Sequence, residues 1–338
     1  MDKKIIPFHV EVVEDDFKWQ LFLDQLITSS TYIKWWWGDY KKKNGWNIKR
    51  LQIVDSNSKQ LIACCQLQSK RISFINIYFI QGGIHLSKKN NIKNVYDNIF
   101  QALNLFIKKN KNWLWLLLIN YQSHHFDEAE ISMMKIGFAP ILTKKMFTYL
   151  VPRENLDKDS FSLSKNWRHN LKRATKNTDL EIEWISSYEK RKKVLSQLAI
   201  FYKNLAKRKK FNTGINLTHG IELLALDKSI MIVQAKLHGE VVAIRVVSIC
   251  NDHLLDLIAA SNEGAKKCYA NYLLMWEMVL KIKELGKKYF DTGGVDPASN
   301  FGVLNFKKGL NGRLIINGPL WCFGSNRILL WLTRLFFV

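Results

Sequence analysis

Four stretches of the sequence combine residue types that can hold or transfer a charged group. The most specific is Tyr289-Phe290-Asp291-Thr292-Gly293-Gly294-Val295, followed by Asn305-Phe306-Lys307-Lys308-Gly309-Leu310-Asn311-Gly312. A buried strand opening into Gly293 and Gly294 brings backbone amides close to a ligand. Lys307 on the next segment could then reach a developing negative charge. A second stretch, Trp167 to Lys176, carries Arg168, Lys172 and Lys176 at every fourth position, so they share one helical face. Such a stripe either tracks a phosphate backbone or faces water. A third, Phe201 to Phe211, holds Arg208 as its single guanidinium. Arginine forks onto phosphate where lysine acts as a point charge, although cations also gather at helix C-termini. The fourth is Trp35-Trp36-Trp37-Gly38-Asp39-Tyr40-Lys41-Lys42-Lys43-Asn44-Gly45-Trp46. Trp37 and Lys41 could hold a ring over a phosphate. Equally, the tryptophans could be core and the lysines a solvated helix end.

Other chemistries have no motif. There is no Gly-rich phosphate loop and no H-E-x-x-H, and no G-x-S-x-G. The five cysteines are odd in number and lack C-x-x-C spacing, so neither a disulfide framework nor a zinc knuckle is implied. His124-His125 reads as loop. No cofactor and no metal is expected.

The elements that must position these residues alternate between helix and strand. Residues 17–28 have helical spacing, Lys49–Val54 and Gln60–Gln68 read as strands around the turn Asp55-Ser56-Asn57-Ser58, and Ile72–Ile80 as a further strand. Asn91–Lys109 is an amphipathic helix through Val95, Ile99, Ala102, Leu103 and Phe106. Trp113–Ile119 is a continuous apolar run of strand length, Ala129–Ile136 looks helical, and Phe147–Leu150 returns to strand. The second half repeats the plan. Ser164 stands before a helix containing Trp167, Leu171 and Ala174. Strand Glu181–Trp184 and helix Lys190–Lys207 follow. Strands Met231–Lys236, Glu240–Cys250 and His253–Ala260 come next, the first two joined by the turn His238-Gly239. Helix Tyr269–Leu285 stops at Gly286, and strand Lys288–Asp291 leads into the two glycines. The repeated order predicts an internal duplication of one α/β unit.

Charge is unevenly spread. The 338 residues carry 51 Lys and Arg against 29 Asp and Glu, a net +22, and 40 of the 51 are lysines, a bias that raises the background everywhere. Residues 165–210, however, hold 14 basic and four acidic residues, a local excess of ten. An anionic partner is expected there. No apolar run approaches the ~18 residues of a membrane span, and residues 1–16 lack the apolar core of a signal peptide. A cytoplasmic protein is expected. The last twelve residues, 327–338, are apolar with Arg327 and Arg334, which suits peripheral membrane contact or a helix packed on the body.

At these clusters the chain resembles the FemABX-like aminoacyltransferases, which build peptidoglycan interpeptide bridges, and their GNAT-related N-acyltransferase relatives. Trp37-Gly38 with Lys41 and Gly45-Trp46 resembles the early Trp-x-x-x-Lys and Gly-Trp element. Ile80-Gln81-Gly82-Gly83 stands where the family has Gly-Pro, the proline being absent. Trp167 to Ala174 resembles its Arg-x-x-(Ile/Leu)-(Arg/Lys)-(Lys/Arg)-Ala helix, and Asp291-Thr292-Gly293-Gly294 with Phe306-Lys307-Lys308-Gly309 its Asp-x-Gly-Gly and Phe-Lys ending. The resemblance implies two tandem GNAT-like subdomains, each a mixed, mostly antiparallel sheet flanked by helices, at 1–155 and 156–322, with 323–338 as a tail. It implies that a primary amine attacks an activated acyl carbon. The donor would be aminoacyl-tRNA and the acceptor a nucleotide- or lipid-linked amine of a cell-envelope precursor, on peptidoglycan or a polysaccharide amino sugar. By position, Lys307 would stabilise charge at the reacting ester or a tRNA phosphate, Phe306 would shape the acyl wall, and Lys41 and Arg208 would hold a diphosphate.

Two rivals stand beside this reading. One is an acyl-CoA-dependent N-acyltransferase on a sugar nucleotide or glycolipid. Ala265-Lys266-Lys267-Cys268-Tyr269-Ala270-Asn271, where a CoA-binding turn would need glycine, has none. The other is a non-catalytic RNA- or membrane-binding protein.

Overall fold

The computed structural model describes residues 7–88, 94–109, 114–121, 127–141, 147–157, 163–209, 216–297 and 300–326. His124-His125, Asn91, Trp113, Lys210-Phe211 and the apolar segment 327–338 lie outside the described residues. The chain divides into two compact units, Met1–Met146 with Ile316–Val338, and Phe147–Ile315.

The first unit contains β1 (Phe8–Val13), α1 (Asp16–Asp24), α2 (Trp35–Lys43), β2 (Asn47–Asp55), β3 (Leu61–Ile72), β4 (Ile75–Gly82), β5 (His85–Leu86), α3 (Val95–Lys108), β6 (Trp115–Tyr121), α4 (Asp127–Ile136) and β7 (Ala139–Ile141). The second contains β8 (Phe147–Pro152), α5 (Lys165–Thr175), β9 (Leu180–Ile185), α6 (Tyr188–Lys209), α7 (Ile221–Leu226), β10 (Ile230–Leu237), β11 (Glu240–Ile249), β12 (His253–Ser261), α8 (Gly264–Lys267), α9 (Ala270–Glu284), β13 (Tyr289–Asp291), α10 (Phe301–Lys308) and β14 (Arg313–Ile316). The chain then returns to the first unit for β15 (Leu320–Gly324).

The first sheet has the order β1-β2-β3-β4-β6-β15-β7, with β5 on β3, and the second β9-β10-β11-β12-β13-β8-β14. Each contains a parallel pair, β4–β6 and β12–β13, beside antiparallel ones. The fold is therefore mixed α/β, with two sheets flanked by helices. The two orders match position for position. Apart from β5, which pairs β3 in the first sheet, they differ in the source of the sixth strand, which is β8 from before the second repeat and β15 from after it. This is why the units do not end at 155 and 322. β8 pairs with β13 through Leu150↔Asp291, and β15 pairs with β6 through Cys322↔Leu118.

Local patterns explain most elements. In α3 the residues spaced three and four apart, Val95, Ile99, Ala102 and Leu103, are buried against Leu67, Ile80, Leu117 and Ile119 of the sheet. The β10–β11 turn places His238 at φ +52° and Gly239 at +82°, and α9 ends before Gly286 at +63°. One expected turn lies elsewhere. β3 continues to Ile72 and the chain reverses at Ser73-Phe74 instead of at 69–71, because cross-strand pairs such as Leu67↔Ile80 fix the register.

In the second unit, α5 and α9 cover the sheet through Trp167, Ala174, Leu274 and Met278, against Val233, Val247 and Phe290. Trp167 is the hub. Its ring meets Tyr272, Trp276 and Phe306 at centroid distances of 5.2, 6.2 and 6.0 Å, and its Nε1–H donates to Phe306 O at 3.0 Å. Gly309 closes α10 against it: a Cβ there would stand 2.7 Å from Trp167 Cδ1. Trp167→Ala is expected to lower stability by about 3–5 kcal/mol, read as a fall in the urea midpoint.

Candidate functional site

Strand pairing in the second sheet positions the site. β12 and β13 are paired from His253↔Tyr289 to Leu255↔Asp291. At the lower end, His253 stacks on Tyr289 (5.0 Å, 7°), its Nδ1 meets Asp252 Oδ1 at 2.8 Å, and Tyr289 donates to Asp252 Oδ2 at 3.1 Å. Burial opposes charge on His253, but Cys250 and Asp252 outweigh it and hold the imidazole up at about 10. At the upper end the strands part. β11 and β12 are bulged there, since Val246 faces Ile258 and Val247 faces Asp256, leaving Leu257 as the extra residue. Beyond Asp291 the chain turns through Gly293 at φ +75°, where a Cβ would lie 2.5 Å from the Asp256 carbonyl oxygen. Only glycine fits this turn.

Lys307 fills the opening. It is 8% exposed, and its Nζ donates to Gly293 O at 3.1 Å and Gly294 O at 3.0 Å. These bonds use two of its three N–H donors. Desolvation pushes its pKa down. Asp256 and Asp291 work against that shift and Arg245 adds to it. The turn is fixed by Asp291, whose Oδ1 accepts from Gly293 N at 2.8 Å and from the Thr148 hydroxyl; that hydroxyl also lies 3.1 Å from Gly293 O.

Two charged residues that sequence reasoning missed complete the site. Arg245 on β11 donates to Asp256 Oδ2 on β12 at 2.6 Å, both side chains being nearly inaccessible. Asp256 Oδ1 is buried without a hydrogen-bond partner, and the Arg245 guanidinium lies 5.6 Å from the Phe306 ring. Each interrupts an otherwise apolar run, Val241–Val247 and Leu254–Ala260, and that interruption was the available signal. Lys307, Phe306, Gly293 and Gly294 are thus brought together with Arg245, Asp256 and Asp291.

The remaining expected residues lie elsewhere. Arg168, Lys172 and the C-capping Lys176 lie on the exposed face of α5, with Arg168 donating to Leu163 O at 3.2 Å, and the opposite face carries Trp167 and Ala174 into the core. Arg208, near the end of α6, pairs with Glu263, both exposed. In the first unit, Trp37 is buried among Tyr32, Trp36 and Tyr40. Lys41 is half-buried with Nζ 5.1 Å from the Trp37 ring and 5.8 Å from Trp46, and burial lowers its pKa. Beneath α2, Arg50 bonds Asp39 and Trp35 O, each at 2.9 Å. Among the described residues no group of His, Cys, Asp and Glu is placed to hold a metal ion, and no helix is long and apolar enough to cross a membrane.

The sequence model of the FemAB family matches residues 186–316, a span that contains Arg245, Asp256, Asp291, Gly293 and Lys307. A crystal structure of FemX superposes with a TM-score of 0.75, at 16% identity, over 96% of this chain and 100% of that one. Over residues 186–316 the chain resembles the FemAB family, and its fold is similar to that of FemX. That fold is shared more distantly. A tandem GNAT protein from the clavulanic acid biosynthesis pathway matches with a TM-score of 0.52 at 8% identity, covering 94% of this chain and 98% of that one. A conserved protein of unknown function from Bacteroides thetaiotaomicron matches with 0.59 at 12% identity, covering 94% and 100%. Comparison with curated proteins gave no match.

The Arg245–Asp256 pair is buried, so removing one charge strands the other. Arg245→Met alone is expected to cost about 3–5 kcal/mol, and the double change Arg245→Met with Asp256→Leu clearly less, as thermal unfolding of the three proteins would show.

Proposed function

We propose that this protein is an aminoacyltransferase that forms an amide on a primary amine of a cell-envelope precursor, with aminoacyl-tRNA as donor. The observation that carries this reading is the buried Lys307 ammonium, held by two glycine carbonyls in the opening of β12 and β13, inside the span matched by the FemAB family. The amine nitrogen attacks the ester carbonyl carbon, the ester C–O bond breaks, and the ribose oxygen leaves with a proton. Lys307 has a third N–H for the oxygen on which negative charge grows, in a site where water is excluded and a fixed cation acts strongly. The unpartnered Asp256 Oδ1 is an acceptor for the proton that the amine must lose.

The donor is chosen on two observations. Tyr269 takes the left-handed turn before α9, at φ +59°, with its ring 4.6 Å from the Arg173 guanidinium. A side chain thus occupies the turn that a diphosphate cradle would leave to glycine. The α5 stripe supplies cations at the spacing of a phosphate backbone. An acyl-CoA donor is the alternative, separated by measuring turnover with charged tRNA against acyl-CoA on candidate amine acceptors. In the first unit Lys41, supported by Trp37, is assigned to phosphate binding; in the second unit the same role is assigned to Arg208. Phe306 is assigned to the acyl wall.

Lys307→Met should lower kcat by roughly 10²–10³-fold while the fold persists; unchanged turnover would leave only a binding role. Because the ammonium is the working form and its pKa is depressed, activity should fall as pH rises through a value below the ordinary 10.5 of lysine. Asp256 raises that pKa, so Asp256→Asn should move the alkaline limb to lower pH, visible in the residual rate.

Exchanging Arg168, Lys172 and Lys176 together for Gln should flatten the slope of log affinity for tRNA against log salt by up to about three. An unaltered slope assigns the stripe to solvent.

A further inference from the structure

The β3–β4 hairpin ends in large apolar residues that leave the first unit's core. Ile72 pairs with Ile75 across the two-residue turn Ser73-Phe74, with Ser73 at φ +54°. Such turns are usually given to Gly, Asn or Asp. Here Ile72 is 55% and Phe74 63% exposed, and the exposed Lys70 and Arg71 lead into them, with Arg71 Nε donating to Ser73 O at 3.0 Å.

Strand register brings further cations to this edge. Asn76 pairs with Trp115, so β6 begins beside the tip, and Gly324 pairs with Leu116, so β15 ends there. Asn47 pairs with Ser69, which puts the start of β2 three residues, about 10 Å, behind Ile72. The turn leading into β2 lies under the hairpin, since a Cβ on Gly45 would be 3.9 Å from Lys70 Nζ. Exposed Lys42 and Lys43 precede that turn, Lys42 being 3.4 Å from Asp39. Exposed Lys108 and Lys109 end α3 just before β6, and Lys49 lies over the Phe106 ring at 5.3 Å. Residues 42–49, 69–76, 105–109, 114–116 and 324–326 together hold seven Lys and Arg and no Asp or Glu. The acidic run Glu14-Asp15-Asp16 follows Val13, which is level with Arg50 and Gln66, six residues or about 20 Å along β3 from Ile72. Residues 327–338, apolar with two arginines, follow β15 in sequence.

We propose that this edge docks the protein on an anionic membrane surface. Ile72 and Phe74 enter the boundary between headgroups and acyl chains, and the seven cations meet lipid phosphates. A nucleic-acid strand would instead track a charged groove with aromatic platforms. A convex hairpin tip offers no such groove, and Phe74 is a single exposed ring beside an isoleucine. The inference is independent of the transferase reading, because it is tested by binding alone.

The described cysteines are buried, so Ser73→Cys in the full-length chain gives a selective site for an environment-sensitive dye. Its emission should shift to shorter wavelength with vesicles of phosphatidylcholine plus phosphatidylglycerol, and not with phosphatidylcholine alone. Salt should reverse the shift. Ile72→Ser with Phe74→Ser should weaken vesicle partitioning at least about tenfold with unchanged thermal unfolding. Exchanging Lys70 or Arg71 for Gln should weaken it about fivefold each. Equal partitioning by the double variant, or vesicle binding with no dye shift, would overturn the proposal. So would loss of tRNA affinity in the double variant with vesicle binding intact. Lys307→Met should bind vesicles like the parent, which keeps failure of the docking surface distinct from failure of the catalytic reading.

Discussion

β12 and β13 run side by side for three residue pairs and part after Leu255↔Asp291, and the second unit's chemistry depends on that parting. Below, a stacked His253–Tyr289 pair bridged by Asp252 holds the strands in register. Above, the ladder stops, with a bulge at Leu257 in the β11–β12 pairing and the left-handed Gly293 close against the Asp256 carbonyl. Where the ladder ends, carbonyl groups lose their ladder partners, and buried carbonyls need donors. Lys307 supplies them from α10. The same side chain therefore satisfies the backbone and places a cation in the opening.

The charges around it balance in kind. Lys307 and Arg245 face Asp256 and Asp291, but no carboxylate bonds Lys307 directly in the structure described. Its hydrogen-bond partners are the neutral carbonyls of Gly293 and Gly294. A carboxylate at that distance would raise the lysine pKa and neutralise its field. Carbonyls hold the ammonium in place while leaving its charge available. Arg245 takes one oxygen of Asp256 and leaves the other buried without a partner, so the pair fixes a carboxylate next to the cation without consuming it. The hub at Trp167 then matters for position as well as stability, because its bond to Phe306 O anchors the residue before Lys307.

What the sequence made legible was local. Asp291 to Gly294 and Phe306 to Gly309 stand out because a glycine turn and a nearby lysine lie within twenty residues, and the structure brings them together. Arg245 and Asp256 escaped because their meaning is a cross-strand pair, and a lone charge in an apolar strand does not announce its partner. The β3–β4 turn was misplaced by several residues because Ser73 takes a left-handed conformation that nothing in Ile72-Ser73-Phe74-Ile75 advertises. The duplication was readable from element order. The sixth strand of each sheet was not, since β8 and β15 come from outside the repeats they complete. The aromatic–cationic run at Trp35–Trp46 joined two readings that had been kept apart: Trp37 is core, and Lys41 nonetheless rests against it.

Position along the first sheet connects Lys41 with the exposed hairpin. Lys41 lies in the last turn of α2, its carbonyl accepts from Trp46 N at 3.1 Å, and the Gly45 turn between them sits beside Lys70 Nζ. Lys41 is therefore on the hairpin side of the sheet, set back from the tip and partly desolvated against two indole rings. Were Ile72 and Phe74 at the acyl boundary, a diphosphate held at Lys41 would lie close to the headgroup layer. That is where a lipid-linked amine acceptor presents its diphosphate, and a nucleotide-linked acceptor, free in solution, gains nothing from such an edge. The lysine-rich background of the chain spreads charge everywhere, but where cations gather around exposed apolar side chains, with Asp39 beside Lys42 as the acid at their margin, charge implies a surface to which it is matched.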